Sequence, residues 1–188
     1  MEEKETISKN FSLYMEKLDK LGVNTDKLRE KYGMNIANGS FTQTNEHGNA
    51  YNGSLLEIIL RVLTPYAVKL NELLPEERRV DKNSLVKVCL LHHIGKSINL
   101  IPNDNQWEVE KRGFVYKYNQ NIPSMKTGLI SLSMCNECGI ELTMEEIEAL
   151  TINDRVSTDE QAKWFSGTMA TIVKVANEFT YLQINGKK

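Results

Sequence analysis

Leu90-Leu91-His92-His93-Ile94-Gly95-Lys96 is the stretch on which the reading of this chain turns. The two leucines close an apolar run that starts near Lys82 and passes through Leu85, Val86, Val88 and Cys89, the pattern of a buried helix. Two adjacent imidazoles then stand where that helix should end, followed by an isoleucine, a glycine and a lysine. Imidazoles in such a place serve either as hydrogen-bonded parts of a core or as ligands. A hard divalent cation prefers carboxylate oxygen alongside imidazole, and these seven residues hold no Asp or Glu.

The neighbouring segments predict further helices. Leu55, Leu56, Ile58, Ile59, Leu60, Val62 and Leu63 follow almost without pause within 54–74. They predict a central helix buried on most sides, with Glu57 and Arg61 on a polar edge and a kink or break at Pro65. Ile7, Phe11, Tyr14, Met15 and Leu18 predict an amphipathic helix over 5–20, and a short helix follows from Asn24 or Thr25 to a stop at Gly33. The polar stretch from Asn35 to Gly53 predicts a long loop, functional or mobile. Pro102-Asn103-Asp104-Asn105 reads as a turn into a hairpin of 106–110 and 114–118 around Lys111-Arg112-Gly113.

Three helices are predicted after the hairpin. One covers about 126–138 and stops at Gly139, and one opens with the capping box Thr143-Met144-Glu145-Glu146. The last follows the box Ser157-Thr158-Asp159-Glu160 and extends to about Leu182. The expected fold class is all-α, a helical bundle with one short β-hairpin. It forms one compact unit in which 1–44 supplies N-terminal helices and a polar loop and 45–185 the helical domain.

Composition bounds the function. A chain of 188 residues, 26% charged and 40% apolar, supports one good core. The net charge of -2 argues against a general electrostatic grip on nucleic acid. No apolar run has the length of a membrane span, and the acidic Met1-Glu2-Glu3-Lys4-Glu5 is unlike a signal peptide. Three cysteines without such a signal imply reduced thiols, and a cytoplasmic location is expected.

The order of elements, with Leu-Leu-His-x-Ile-Gly-Lys closing the second buried helix, resembles the HD superfamily, whose members are mostly metal-dependent phosphohydrolases. The likeness spans roughly 45–182. The segment Tyr51-Asn52-Gly53-Ser54-Leu55-Leu56-Glu57-Ile58-Ile59-Leu60 is similar to the family's first motif, a Gly-Gly-Leu-Leu-Glu-His-Ser-Leu pattern that supplies a metal-binding histidine. The resemblance implies four metal ligands, and they fall on Ile58, His92, His93 and Asn177, where the family has histidine, histidine, aspartate and aspartate. An auxiliary histidine of some relatives falls near Asn153 and Asp154. One ligand of four is kept and both carboxylates are lost. Without a metal nothing lowers the pKa of an attacking water. The resemblance therefore implies a vestigial site without cofactor, in a protein that acts by binding a partner protein, a second copy of itself in an assembly, or a nucleotide. It is nearest to bacterial and phage types, which implies a bacterial cytoplasm, or a host cytoplasm or virion.

The alternative is an active phosphohydrolase on nucleotides or other phosphoesters with an altered metal centre. His92, His93 and Asp154, with His47 from the preceding loop, would then hold zinc, manganese or magnesium. The plainer reading has His92 and His93 ending a buried helix, one hydrogen-bonded and the other facing solvent. His47, Lys96, Lys111 and Arg112 are candidates for a ligand or phosphate. Against this, Lys96 is expected past a helix end, compensating its dipole, and Lys111-Arg112 as solvated charges at a hairpin tip. Cys135-Asn136-Glu137-Cys138 has no second pair and reads as small side chains on a helix face. Trp107, Trp164, Tyr116 and Tyr118 read as core and hairpin packing rather than a stacking platform.

Overall fold

The computed structural model describes residues 2–45, 49–154 and 166–185. Helix α1 (Glu2–Lys20) presents Tyr14, Met15 and Leu18 to the core, all fully buried, as its apolar spacing predicts. Helix α2 (Asp26–Asn38) runs past Gly33, where a stop was expected, and closes at Gly39. Burial of Ile36 and Ala37 in its last turn outweighs the roughly 1 kcal/mol that a mid-helix glycine costs.

The central apolar stretch forms α3 (Ser54–Ile58), a π-helical turn (Ile59–Leu63) and α4 (Thr64–Leu73). Pro65 lacks an N–H and its ring crowds the carbonyl four residues back, at Arg61. That carbonyl lies inside the π turn, so the helix absorbs the proline by widening one turn instead of breaking. Leu55, Leu56, Ile58, Ile59 and Leu63 are all buried.

Helix α5 (Lys82–Leu91) opens on Asp81, whose side chain accepts the Ser84 N–H at 2.7 Å. It is followed by the short α6 (Lys96–Asn99), strand β1 (Leu100–Pro102), α7 (Gln106–Arg112) and β2 (Tyr116–Tyr118). The two strands pair antiparallel, Leu100 with Tyr118 and Pro102 with Tyr116. The strand pair is therefore real, but residues 106–110, expected as its first strand, are helical. Asn105 caps that helix by accepting the Glu108 N–H, and Gly113, at φ +67°, ends it in the left-handed conformation. Lys111-Arg112-Gly113 is thus a helix terminus and not a hairpin tip. The polar loop after α2 is pinned to this unit by a bridge between Thr44 and Phe114 and by the Tyr116 N–H bonded to Gln43 O.

Helix α8 (Thr127–Cys138) ends at Gly139, as predicted. Helix α9 (Met144–Thr151) carries the expected capping box between Thr143 and Glu146 and passes into a 3-10 turn (Ile152–Asp154). Helix α10 (Thr168–Asn185) follows. The second capping box, Ser157–Glu160, lies outside the described residues, as do Trp164 and His47. Among the described residues the architecture is mainly all-α with one antiparallel strand pair.

Helix α5 serves two apolar clusters. Leu90 and Leu91 join α1, α2, α3 and α8 in one, while Leu85, Val88 and Cys89 join α4, α9 and α10 in the other. The Tyr14 hydroxyl donates to Leu90 O at 3.1 Å and so ties α1 to the end of α5. Cys135 and Cys138 are buried in the first cluster as free thiols. Beyond α5 the chain presses against α8. A Cβ on Gly95 would lie 2.5 Å from Thr127 O and 2.9 Å from both Ile130 Cβ and Ser131 N. Gly95→Ala should therefore destabilise the fold by about 1–3 kcal/mol, the usual cost of overpacking, measured as a shift of the urea midpoint at unchanged slope.

Candidate functional site

The turn between α5 and α6 carries His92 and His93. Its backbone closes through Lys96 N–H to His93 O at 2.9 Å, and Ser131 of α8 locks it from outside. The Ser131 hydroxyl donates to His92 O at 3.0 Å and accepts the Gly95 N–H at 2.9 Å. Sequence reading passes over Ser131, because a helical serine carries no signal of the turn it will meet.

Both imidazoles are buried, 2% and 4% exposed, so neither faces solvent as the plainer reading had it. The turn is covered by α9 and α10, which the local pattern cannot reveal. His92 Nδ1 lies 2.8 Å from Leu150 O, an acceptor only, so Nδ1 carries the proton and donates. Nε2 is then an acceptor, and the Asn153 amide donates to it at 2.7 Å. His93 Nε2 donates to Asn177 Oδ1 at 2.7 Å, while its Nδ1 is buried and meets no partner among the described residues. The two rings are 4.4 Å apart, and Phe41 meets His93 edge-on at 5.0 Å. Burial holds both imidazoles neutral. It brings His92 down to about 4, helped by the charge of Lys96, and takes His93 well below its ordinary value, helped by His92 and Lys96.

Lys96 is not at a solvated helix end. It opens α6 and turns inward, 8% exposed. Its ammonium donates to Phe41 O at 2.7 Å and to the Tyr181 hydroxyl at 2.8 Å, and lies 3.7 Å from the centre of the Phe41 ring. None of these partners is an anion, and burial brings Lys96 down to about 7. Its chain lines a cavity of about 260 Å³ together with Thr42, Gln43 and Asn99. A larger cavity, about 800 Å³, is walled by Asn119, Lys126, Asn153 and Asp154. Asn99, Tyr118 and Thr127 line both. Tyr118 is exposed there and is not packed away.

The positions that the resemblance marks as metal ligands are brought together in part. His92, His93 and Asn177 form one contact chain, whereas Ile58 is buried among the aliphatic side chains of the first cluster. Asp154 turns to α8, where Oδ2 accepts the Leu129 N–H at 2.8 Å. Arg112 engages Glu108 at 3.6 Å and stacks on Phe114, beside an exposed Lys111. A hard divalent cation does not fit this donor set. Both nitrogens of His92 are engaged, Asn177 offers a neutral amide oxygen already used, no carboxylate contributes, and a buried lysine stands beside the rings. Among the described residues no group of three or more His, Cys, Asp or Glu could hold a metal ion.

The neutral imidazoles make stability depend on pH. In the unfolded chain they bind protons near 6.5; in the folded chain burial brings His92 down to about 4 and takes His93 well below its ordinary value. The unfolded state holds more protons across that window, so stability falls as pH drops from 6.5 toward 4. Each imidazole should steepen the fall by up to about 1.4 kcal/mol per pH unit, and His93→Leu should remove its share, checked by chemical unfolding at a series of pH values. Among protein-family models, curated proteins and solved structures, none matches this chain.

Proposed function

We propose that this chain is a degenerate HD-superfamily protein that binds its ligand without hydrolysing it, through an anionic group paired with Lys96. The observation that carries the reading is the pairing of each histidine with an amide. His92 Nε2 takes the Asn153 amide and His93 Nε2 gives to Asn177, each at 2.7 Å, where the resemblance implies a metal centre. The convergence of His92, His93 and Asn177 supports the correspondence on which that resemblance rests. Hydrogen bonds of this kind satisfy buried neutral rings, and they occupy the lone pair of His92 that a cation would need.

Lys96 supports the binding half of the reading. An ammonium removed from water without a counter-charge costs several kcal/mol. An anion entering the adjoining cavity supplies that charge and recovers part of the cost. Thr42, Gln43, Asn99 and Thr127 offer further hydroxyls and amides around it.

Sulfate is a suitable probe because its charge does not change near neutral pH. It should raise the melting temperature of the wild type, by about 2.7 kcal/mol in stability at a hundredfold excess over Kd. It should have no effect on Lys96→Met. Since Lys96 titrates at about 7, sulfate affinity should weaken above that pH, by up to about tenfold per unit. A panel of nucleotides with manganese, magnesium, cobalt or zinc should show no turnover. Stoichiometric metal in the purified protein, with turnover abolished by His92→Ala, would overturn the reading in favour of an active phosphohydrolase.

A further inference from the structure

Lys96 also has an uncharged form, which the anion reading does not use. Burial brings its ammonium down to about 7, so near neutrality about half of the molecules carry a free amine there. A desolvated lysine amine is a nucleophile toward carbonyl carbon. The geometry around Nζ suits that chemistry. An uncharged amine has two N–H bonds and one lone pair. Phe41 O at 2.7 Å and the Tyr181 hydroxyl oxygen at 2.8 Å take the two N–H bonds, which leaves the lone pair for a reactant. Lys96 and Tyr181 both line the cavity of about 260 Å³, and among its described lining residues there is no carboxylate and no second cation. This volume is below the roughly 300–1,000 Å³ of ordinary small-molecule sites, so the reactant is short. Thr42, Gln43, Asn99 and Thr127 line the space with hydroxyls and amides, so the reactant is polar.

We infer that Lys96 captures a short, polar aldehyde in this cavity as an imine, with the Tyr181 hydroxyl carrying the proton. This stands apart from the anion reading, which needs the ammonium. Nζ attacks the carbonyl carbon, a C–N bond forms, and the π pair of the C=O bond moves to oxygen. That oxygen takes the Tyr181 proton, and Tyr181 recovers one from nitrogen, giving the carbinolamine. The nitrogen lone pair then expels the oxygen, which leaves as water with the Tyr181 proton. Nitrogen returns its last proton to Tyr181. An amine and an aldehyde thus become an imine and water, with no oxidant or reductant. Burial pushes the Tyr181 hydroxyl up to about 12, so it holds its proton at neutral pH until the carbonyl oxygen gains charge.

The probe is glycolaldehyde at neutral pH with cyanoborohydride, which reduces the imine to a stable secondary amine located by peptide mass spectrometry. Lys96 should be labelled at least about tenfold faster than the exposed Lys69 and Lys111, because an amine of ordinary basicity is uncharged in only about one molecule per thousand there. Tyr181→Phe should slow the labelling of Lys96 at least about tenfold and leave Lys69 and Lys111 unchanged. Equal labelling of the three lysines in the wild type would overturn the inference without any variant. Sulfate binding without preferential labelling of Lys96 overturns this inference alone. Preferential labelling without sulfate binding overturns the anion reading alone and leaves the imine standing.

Discussion

The close approach of the α5–α6 turn to α8 is the constraint on which the centre of this molecule depends. Gly95 passes where no side chain fits, and one hydroxyl, that of Ser131, holds both the His92 carbonyl and the Gly95 N–H. With the turn set in that way, His92 reaches α9 and the 3-10 turn after it, His93 reaches α10, and Lys96 points back beneath Phe41 and Tyr181. Four hydrogen-bonded directions follow from one tight backbone contact. A glycine in the turn and a serine on α8 belong to the site as much as the histidines themselves.

The electrostatics of the cluster follow from what it lacks. Three side chains able to carry positive charge are buried within a few residues of one another, and their hydrogen-bond partners are carbonyls, amides and a hydroxyl. Such a cluster remains folded only if most of its members stay neutral, which is the state burial enforces on the imidazoles. The same absence of carboxylates that makes the place unsuited to a divalent cation leaves Lys96 with neutral partners, which is the ground of the anion binding we propose. The tautomer of His92, set by Leu150 O, orients the Asn153 amide, so a buried ring fixes how one residue of the outer cavity wall is turned.

Much of the fold was legible in the chain because helical periodicity and caps are local signals. The apolar spacing of Tyr14, Met15 and Leu18, the box Thr143–Glu146 and the stop at Gly139 all stand as read. The failures were local signals overruled or misjudged. Gly33 did not stop α2, because Ile36 and Ala37 had a core to enter. Asn105 and Gly113 bracket a helix, although the intervening charges and aromatics look equally at home at a hairpin tip. At the site, the pairing of His93 with Asn177 spans 84 positions, and no local pattern announces it.

What the sequence determined alone is the inventory: most of the helices, two histidines, a glycine and a lysine at the end of a buried segment, and no acid beside them. Periodicity and composition act over a few residues, so they can be read without coordinates. Only the tertiary structure decided that both imidazoles are buried, that Lys96 faces inward, and that Ser131 and Asn153 belong to the same place. Those outcomes depend on which helices cover the turn. That is settled by the packing of side chains far apart in the chain, where desolvation converts ordinary polar residues into a tautomer, an orientation and a charge.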